Sequence, residues 1–423
     1  MRLVTMCFVV LLFASILSIS RAQVPGKIWE RHTIDASSKG ADGVKLADAD
    51  GDGRLDIVTG WEEGSVIRVT LHPGYEKVRQ PWPGVTVGEV KKPEDAVFVD
   101  LDGDGALDVV SSCEGKLQSM FVHWAPKDKA KYLDASAWQT KPIPATQGVS
   151  RWMFCEPIQM DGQRGVDLVA ASKAPGAQVC WLESPDDPRN LAAWKLHKIT
   201  DAGWIMSVFT IDMDADGDLD VLITDRKGPA RGCRWLENPG PGAKQSGPWR
   251  SHMVHTAECQ FMFLRPTDLN KDGLVDLLVA VKPKAVLYLQ RKDAKGDAWQ
   301  CFTIPFPEQG TGTAKGVNAG DLDRDGLPDI VLTCEHADKG TSGAFWLKNM
   351  GPLANPEFKP QEMGGPQGVK FDRIELLDMD GDEDLDVLTC EERDNLGVFW
   401  YENPAIIARG FPRPTQRHSE EPR

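Results

Sequence analysis

Seven copies of one short acidic loop, at nearly constant spacing, constrain this 423-residue chain more than any other feature. The first copy holds Asp48, Asp50, Asp52 and Asp56, followed by an apolar pair, and the second holds Asp100, Asp102, Asp104 and Asp108. The fourth holds Asp212, Asp214, Asp216 and Asp220, and the fifth Asp268, Asn270, Asp272 and Asp276. The sixth holds Asp321, Asp323, Asp325 and Asp329, and the seventh Asp378, Asp380, Asp382 and Asp386, with Glu383 where the others place glycine. The third, residues 159–167, keeps only Asp161 and Asp167 of the acidic set. Copies begin 52 to 59 residues apart. A fixed period with one atypical member marks a repeat architecture, in which each unit buries its apolar face against the next.

The loop chemistry points to calcium. Carboxylates at positions one, three and five, with another at nine, set hard oxygen donors around one centre, and glycine at position six permits a sharp turn. Carboxylates this close could not all stay ionised without a cation between them. The expectation is about six structural calcium sites, with the degenerate third loop binding nothing tightly. A solvated acidic turn is the alternative for any single copy, and the repetition weighs against it. The formal charge of −15 is then mostly a metal-binding acidity. It argues for no particular partner, and without a basic run or a net positive field no nucleic-acid partner is expected.

Residues 1–22 read as a signal peptide: Arg2, an apolar run from Val4 to Ile19, then Ser20-Arg-Ala22 as a small-residue cleavage site before Gln23. The mature chain is expected to be secreted or periplasmic, with no later stretch apolar enough to span a membrane. An uncleaved anchor is the alternative. Eight cysteines follow the signal segment. Cys113, Cys334 and Cys390 recur near one point of different repeats, unlike a disulfide framework, and pairing stays open.

Each repeat carries more than its loop. A short apolar strand precedes it, as at Ala96-Val-Phe-Val, and a continuous apolar strand follows, as at Asp220-Val-Leu-Ile-Thr. A third strand ends in a phrase such as Trp235-Leu-Glu-Asn-Pro239, and a fourth opens on an aromatic, as at Trp249-Arg-Ser-His-Met-Val. Four short strands per repeat of this size describe a propeller blade. The seventh repeat lacks its fourth strand, while Trp29-Glu-Arg-His32-Thr-Ile34 is a fourth-strand phrase with no blade of its own. The fold class read from this offset is all-β: residues 23–405 form a closed seven-bladed β-propeller whose last blade is completed by the N-terminal strand, which removes an exposed sheet edge. An open solenoid would have no use for the offset. Residues 406–423 read as a polar C-terminal tail.

The Asp-x-Asp-x-Asp-Gly-x-x-Asp loops and their flanking strands resemble the FG-GAP/VCBS repeat proteins, a family of calcium-loop propellers that includes the integrin head and many secreted bacterial proteins. The likeness spans essentially the whole mature chain. It implies fold and metal more than function, since the family holds adhesion modules, sugar binders and a few lyases or dehydratases. It also implies that the loops join first and second strands on one face, and that ligands use the opposite face.

On that face, six residues after each loop's last Asp, stand Glu62, Glu114, Lys173, Arg226, Lys282, Glu335 and Glu392. Blades three to five are cationic here and the other four acidic, which predicts a bipolar face; ordinary solvated loop charge is the alternative. Arg151 and Arg265 are assigned to the cationic arc. Eleven of the 14 tryptophans fall at repeat positions that suit packing between blades. Trp61, Trp152 and Trp204 have no repeat role and are expected to be stacking platforms for a sugar ring, core filling of a loop being the alternative. His336, beside the acidic arc, or a Glu-Lys pair is the candidate proton-transfer group should the protein be an enzyme. No G-x-S-x-G elbow, His-Glu-x-x-His pair or phosphate loop is present. The expected function is binding of a carbohydrate or cell-surface polymer at the face opposite the loops. The alternative is a lyase or dehydratase acting on a uronic or oxidised sugar.

Overall fold

A computed structural model describes residues 24–163, 165–240, 247–338, 340–351 and 357–404. The signal segment and the C-terminal tail lie outside these residues. Seven four-stranded antiparallel sheets stand around one axis, each beginning on an inner strand. The inner strands are Ala41–Ala47, Pro93–Val99, Arg151–Ile158, Ile205–Ile211, Gln260–Thr267, Thr313–Gly320 and Phe371–Leu377, which open blades 1 to 7 in that order. In blade 7 the outermost strand is Glu30–Asp35, paired antiparallel with Gly397–Glu402, so His32 lies opposite Trp400. The ring closes through the N-terminal strand as the repeat offset requires.

Packing between blades explains most of the aromatic content. Ten repeat-position tryptophans are buried, and Trp299 is half-buried. Three outer-strand histidines share one role: His32, His197 and His252 pack against Trp400, Trp181 and Trp235, with ring centroids 4.6, 4.6 and 3.8 Å apart. Each also meets a glutamate of the neighbouring third strand, Glu402, Glu183 or Glu237, at 2.8, 2.7 and 2.6 Å. The tryptophan phrase and the histidine phrase are therefore two halves of one Trp–His–Glu contact. All eight described cysteines are free, six of them buried.

The ninth aspartate of each loop ties the blade together. In blade 1 the Ala49 N–H donates to Asp56 Oδ2 and the His72 N–H to Asp56 Oδ1, both at 2.8 Å. The second bond reaches back from the end of the third strand, Val66–Thr70. The same bond, at 2.7 to 2.8 Å, joins Ala125 to Asp108, Ser184 to Asp167, Asn238 to Asp220, Arg291 to Asp276, Asn349 to Asp329 and Asn403 to Asp386. These carboxylates are buried in all seven blades, including the blade whose loop is degenerate. Two unpaired backbone donors would otherwise be left in a dry place, at a cost of about 1–3 kcal/mol each.

Every inner strand also breaks register with its neighbour at one height. The shift falls between Asp42 and Lys45, Pro93 and Asp95, Trp152 and Phe154, Ile205 and Ser207, Phe261 and Leu264, Ala314 and Val317, and Phe371 and Ile374. A bulge inserts an extra residue and re-aims side chains locally. Here it brings Asp42, Glu94, Lys315 and Asp372 into the lining of the axial channel. No described helix is long and apolar enough to cross a membrane.

Candidate functional site

The axial channel has a mouth at each end. One, of ≈ 250 Å³, lies opposite the acidic loops and draws lining residues from every blade. Glu62, Glu114, Lys173, Arg226 and Glu335 contribute from the ends of second strands, as the register reading expected. Asp42, Glu94, Lys315, Lys370 and Asp372 join them from the beginnings of inner strands, with methionine and phenylalanine beneath. Sequence reasoning missed these five. Their signal was a charged residue at the bulge height of an apolar strand, legible only once the pairing register is known.

The two arcs do not stand apart. Lys173 sits between Glu94 and Glu114, Lys282 meets Glu335, Lys370 meets Glu392, and Lys92 lies 3.2 Å from Glu62. Cations and carboxylates thus pair around the mouth, several across blade boundaries, and the expected bipolar face is replaced by a ring of ion pairs. The physical reason is proximity: residues from adjacent blades converge on the axis, where a partly buried charge is costly unless matched.

Two carboxyl pairs lie within this ring. Burial pushes Glu94 up to about 8 against the pull of the Lys173 ammonium, and Glu114 adds to the rise. Glu114 is half-buried, but its hydrogen bonds with Glu94 and Lys173 leave it below the usual carboxylate range. Asp42 is likewise raised by burial and by Asp372 beside it, whereas the Lys315 ammonium, 2.7 Å from Asp372, offsets burial and holds that group low. In each pair one carboxyl is raised and its neighbour lowered. Such a mouth can donate and accept hydrogen bonds on both sides of a polar ligand, and it can hold a proton near neutral pH.

The aromatic expectations divide. Trp204 lines the mouth half-buried, with Lys173, Arg226 and Lys227 cations 5.0, 4.7 and 4.4 Å from its ring centroid. Trp61 and Trp152 are fully buried. Trp152 donates its ring N–H to the Thr146 carbonyl at 3.0 Å, and Trp61 packs with Trp82 and Trp400, so neither is a stacking platform. Arg265 is corrected as well: it lies near the loop end of its inner strand, at the opposite mouth, 3.1 Å from Glu375. Arg151 is exposed at the start of its strand opposite Lys173 and does not line the mouth. His336 points out beside it with a left-handed backbone (φ 56°), 3.2 Å from Thr313 Oγ1 and 3.6 Å from Glu335.

At the loop face, one carboxylate oxygen from each of Asp48, Asp50 and Asp56 lies within 4.8 Å of the others, and so do those of Asp100, Asp102 and Asp104. Asp100 Oδ1 is buried without a hydrogen-bond partner. An all-oxygen set of this density suits a hard cation such as calcium. Neighbouring cations touch the same loops: Arg189 meets Asp102, Arg79 meets Asp380, and Lys348 meets Asp323 and Asp325. In the third loop Gln159 takes the first position, accepting the Gly162 N–H at 2.9 Å as Asp48 accepts that of Gly51 at 2.8 Å.

Residues 268–332 match the family model described as FG-GAP-like repeat. A crystal structure of BBS1N in complex with ARL6DN, soaked with mercury, is similar at a TM-score of 0.50 and 10% identity, over 89% of this chain and 97% of that one. A crystal of that complex soaked with lead gives 0.48 and 10%, over 90% and 98%. At such identity the likeness is one of fold. No curated protein matches the chain significantly.

Proposed function

We propose that this chain, an FG-GAP-repeat β-propeller, is an exported, calcium-stabilised binding module. The fold fits a binding role, and the ligand we assign is a carbohydrate or another surface polymer held at the mouth opposite the loops. Calcium would neutralise the clustered loop carboxylates of six blades and so add its binding free energy to that of folding. The observation that carries the reading is the convergence of side chains from all seven blades on one mouth, with paired carboxyls, ammonium groups and the half-buried Trp204 together. Sugars are recognised by such mixed donors and acceptors beside an aromatic surface. A glycan array probed in calcium-containing buffer tests it. Wild type is expected to bind a defined set of glycans, and a Trp204→Ala, Arg226→Ala double variant to lose them. Binding that survives the double variant would place the site elsewhere.

One observation favours the lyase or dehydratase reading: Glu94 holds a proton up to about 8 beside ionised Glu114 and Lys173. That is an acid and a base in contact with a cation, the equipment for removing a proton next to a sugar carboxylate. Unsaturated product released from a uronic polymer by wild type, and lost in Glu114→Gln, would establish it. Loss in His336→Ala with activity kept in Glu114→Gln would move the proton-transfer role to the loop histidine.

A further inference from the structure

The loop-side mouth of the channel is a separate cavity of ≈ 330 Å³. Phe209, Leu264, Val317 and Ile374 give it apolar walls, and Phe263 separates it from the opposite mouth by lining both. Arg373 also lines it, with Cζ 4.4 Å from the Phe154 ring centroid and 5.4 Å from that of Phe263. The other charged groups of this mouth are matched: Lys45 with Glu156, and Arg265 with Glu375 at 3.1 Å. The Arg373 guanidinium is the exception. Asp95, Glu156, Asp372 and Glu375 offset its charge from a distance, yet it makes no hydrogen bond and no ion pair with any described residue.

A guanidinium presents five N–H donors in a planar fork that matches a carboxylate edge to edge. Stacking against two phenyl rings holds the plane of such a group and leaves its edge free. A concave cavity with apolar walls and a few polar groups is the usual form of a small-molecule site. We propose that this cavity binds a small organic carboxylate, its two oxygens on the Arg373 fork and its apolar body against Phe209, Val317 and Ile374. The site does not depend on the carbohydrate reading of the opposite mouth.

The test is calorimetric titration of the full chain, in calcium-containing buffer, with benzoate and with benzyl alcohol as its neutral counterpart. Saturable binding of benzoate and none of benzyl alcohol is expected. Arg373→Lys keeps the charge but loses the fork, and should weaken benzoate by about tenfold or more. Thr210→Trp fills the cavity mouth without touching Arg373, and should abolish binding even if the arginine variant folds poorly. Trp204→Ala, at the other mouth, should leave it unchanged. Absence of saturable benzoate binding overturns the proposal, as does equal binding by wild type and Thr210→Trp. Binding lost in Trp204→Ala but kept in Thr210→Trp overturns it equally, by assigning the benzoate to the other mouth.

Discussion

Asp167 belongs to the loop that keeps only Asp161 of the other acidic positions, and its two oxygens accept the N–H groups of Met160 and Ser184 at 3.0 and 2.8 Å. Its work there is to latch a loop to the end of a third strand, whatever a metal does in the other six. Asp161 is only half-buried by comparison and accepts the Gln163 N–H. Asp167→Ala should therefore lower stability by about 1–3 kcal/mol for each stranded donor, read as a fall in Tm, while Asp161→Ala should change it little. Asp104→Ala, in a full acidic loop, should lose calcium-dependent stability that Asp161→Ala does not. Equal melting of the Asp167 and Asp161 variants would contradict the latch. A second prediction concerns Glu94, whose folded pKa of about 8 stands above its unfolded value. The sign follows: a raised carboxyl costs the fold stability as pH climbs above the unfolded value, and the whole cost is present above about 8. Glu94→Gln mimics the protonated form, so it should melt higher than wild type at pH 9 and much the same at pH 5. A lower Tm at pH 9 would show that the ionised carboxylate, not the acid, supports this mouth. Position nine was legible in the sequence as an acidic repeat, but its latch was not, because the donor comes from a strand end 15 to 20 residues on.

The closing strand shows how far sequence reading can go at the level of elements. Its histidine, its opening tryptophan and the missing fourth strand of the last repeat were all visible as phrases, and Glu30–Asp35 pairs as they require. The lock on that strand was not visible. Arg79, from blade 1, reaches Asp380 and Glu402 of blade 7, and Glu402 in turn meets His32. These contacts hold Glu402 near 2 in spite of its burial. Deleting residues 30–35 should expose two strand edges and give aggregated or misfolded protein, measured by size-exclusion chromatography. Arg79→Ala should fold but lose Tm, because it leaves two partly buried carboxylates without their cation. A soluble deletion variant as stable as wild type would refute closure. The inner-strand bulges escaped the sequence for a related reason: hydrophobic pattern marks a strand, whereas a register shift is a property of two strands together.

For the whole molecule, seven repeats give one ring with two chemically different faces. The loop face carries the acidic clusters, and chelator should lower the Tm markedly, with re-added calcium restoring it. No shift on chelation would remove calcium from the account. Counting six residues past each loop picked out five of the residues that line the opposite mouth, because second strands end at a common height. The same count misjudged its electrostatics, since it examined one residue per blade, and partners such as Lys92, Glu94 and Lys370 come from the strands beside it. Tryptophans without a repeat role were a mixed guide, because Trp61 and Trp152 fill space between blades that no linear pattern reveals. The most direct test of the central claim is a crystal structure of the calcium-loaded protein soaked with the strongest oligosaccharide from the array. The account predicts sugar density at the mouth opposite the loops, against Trp204 and within hydrogen-bond reach of Glu114, Lys173 or Arg226. Density on the loop face, or at an outer groove between blades with this mouth unchanged, would contradict it.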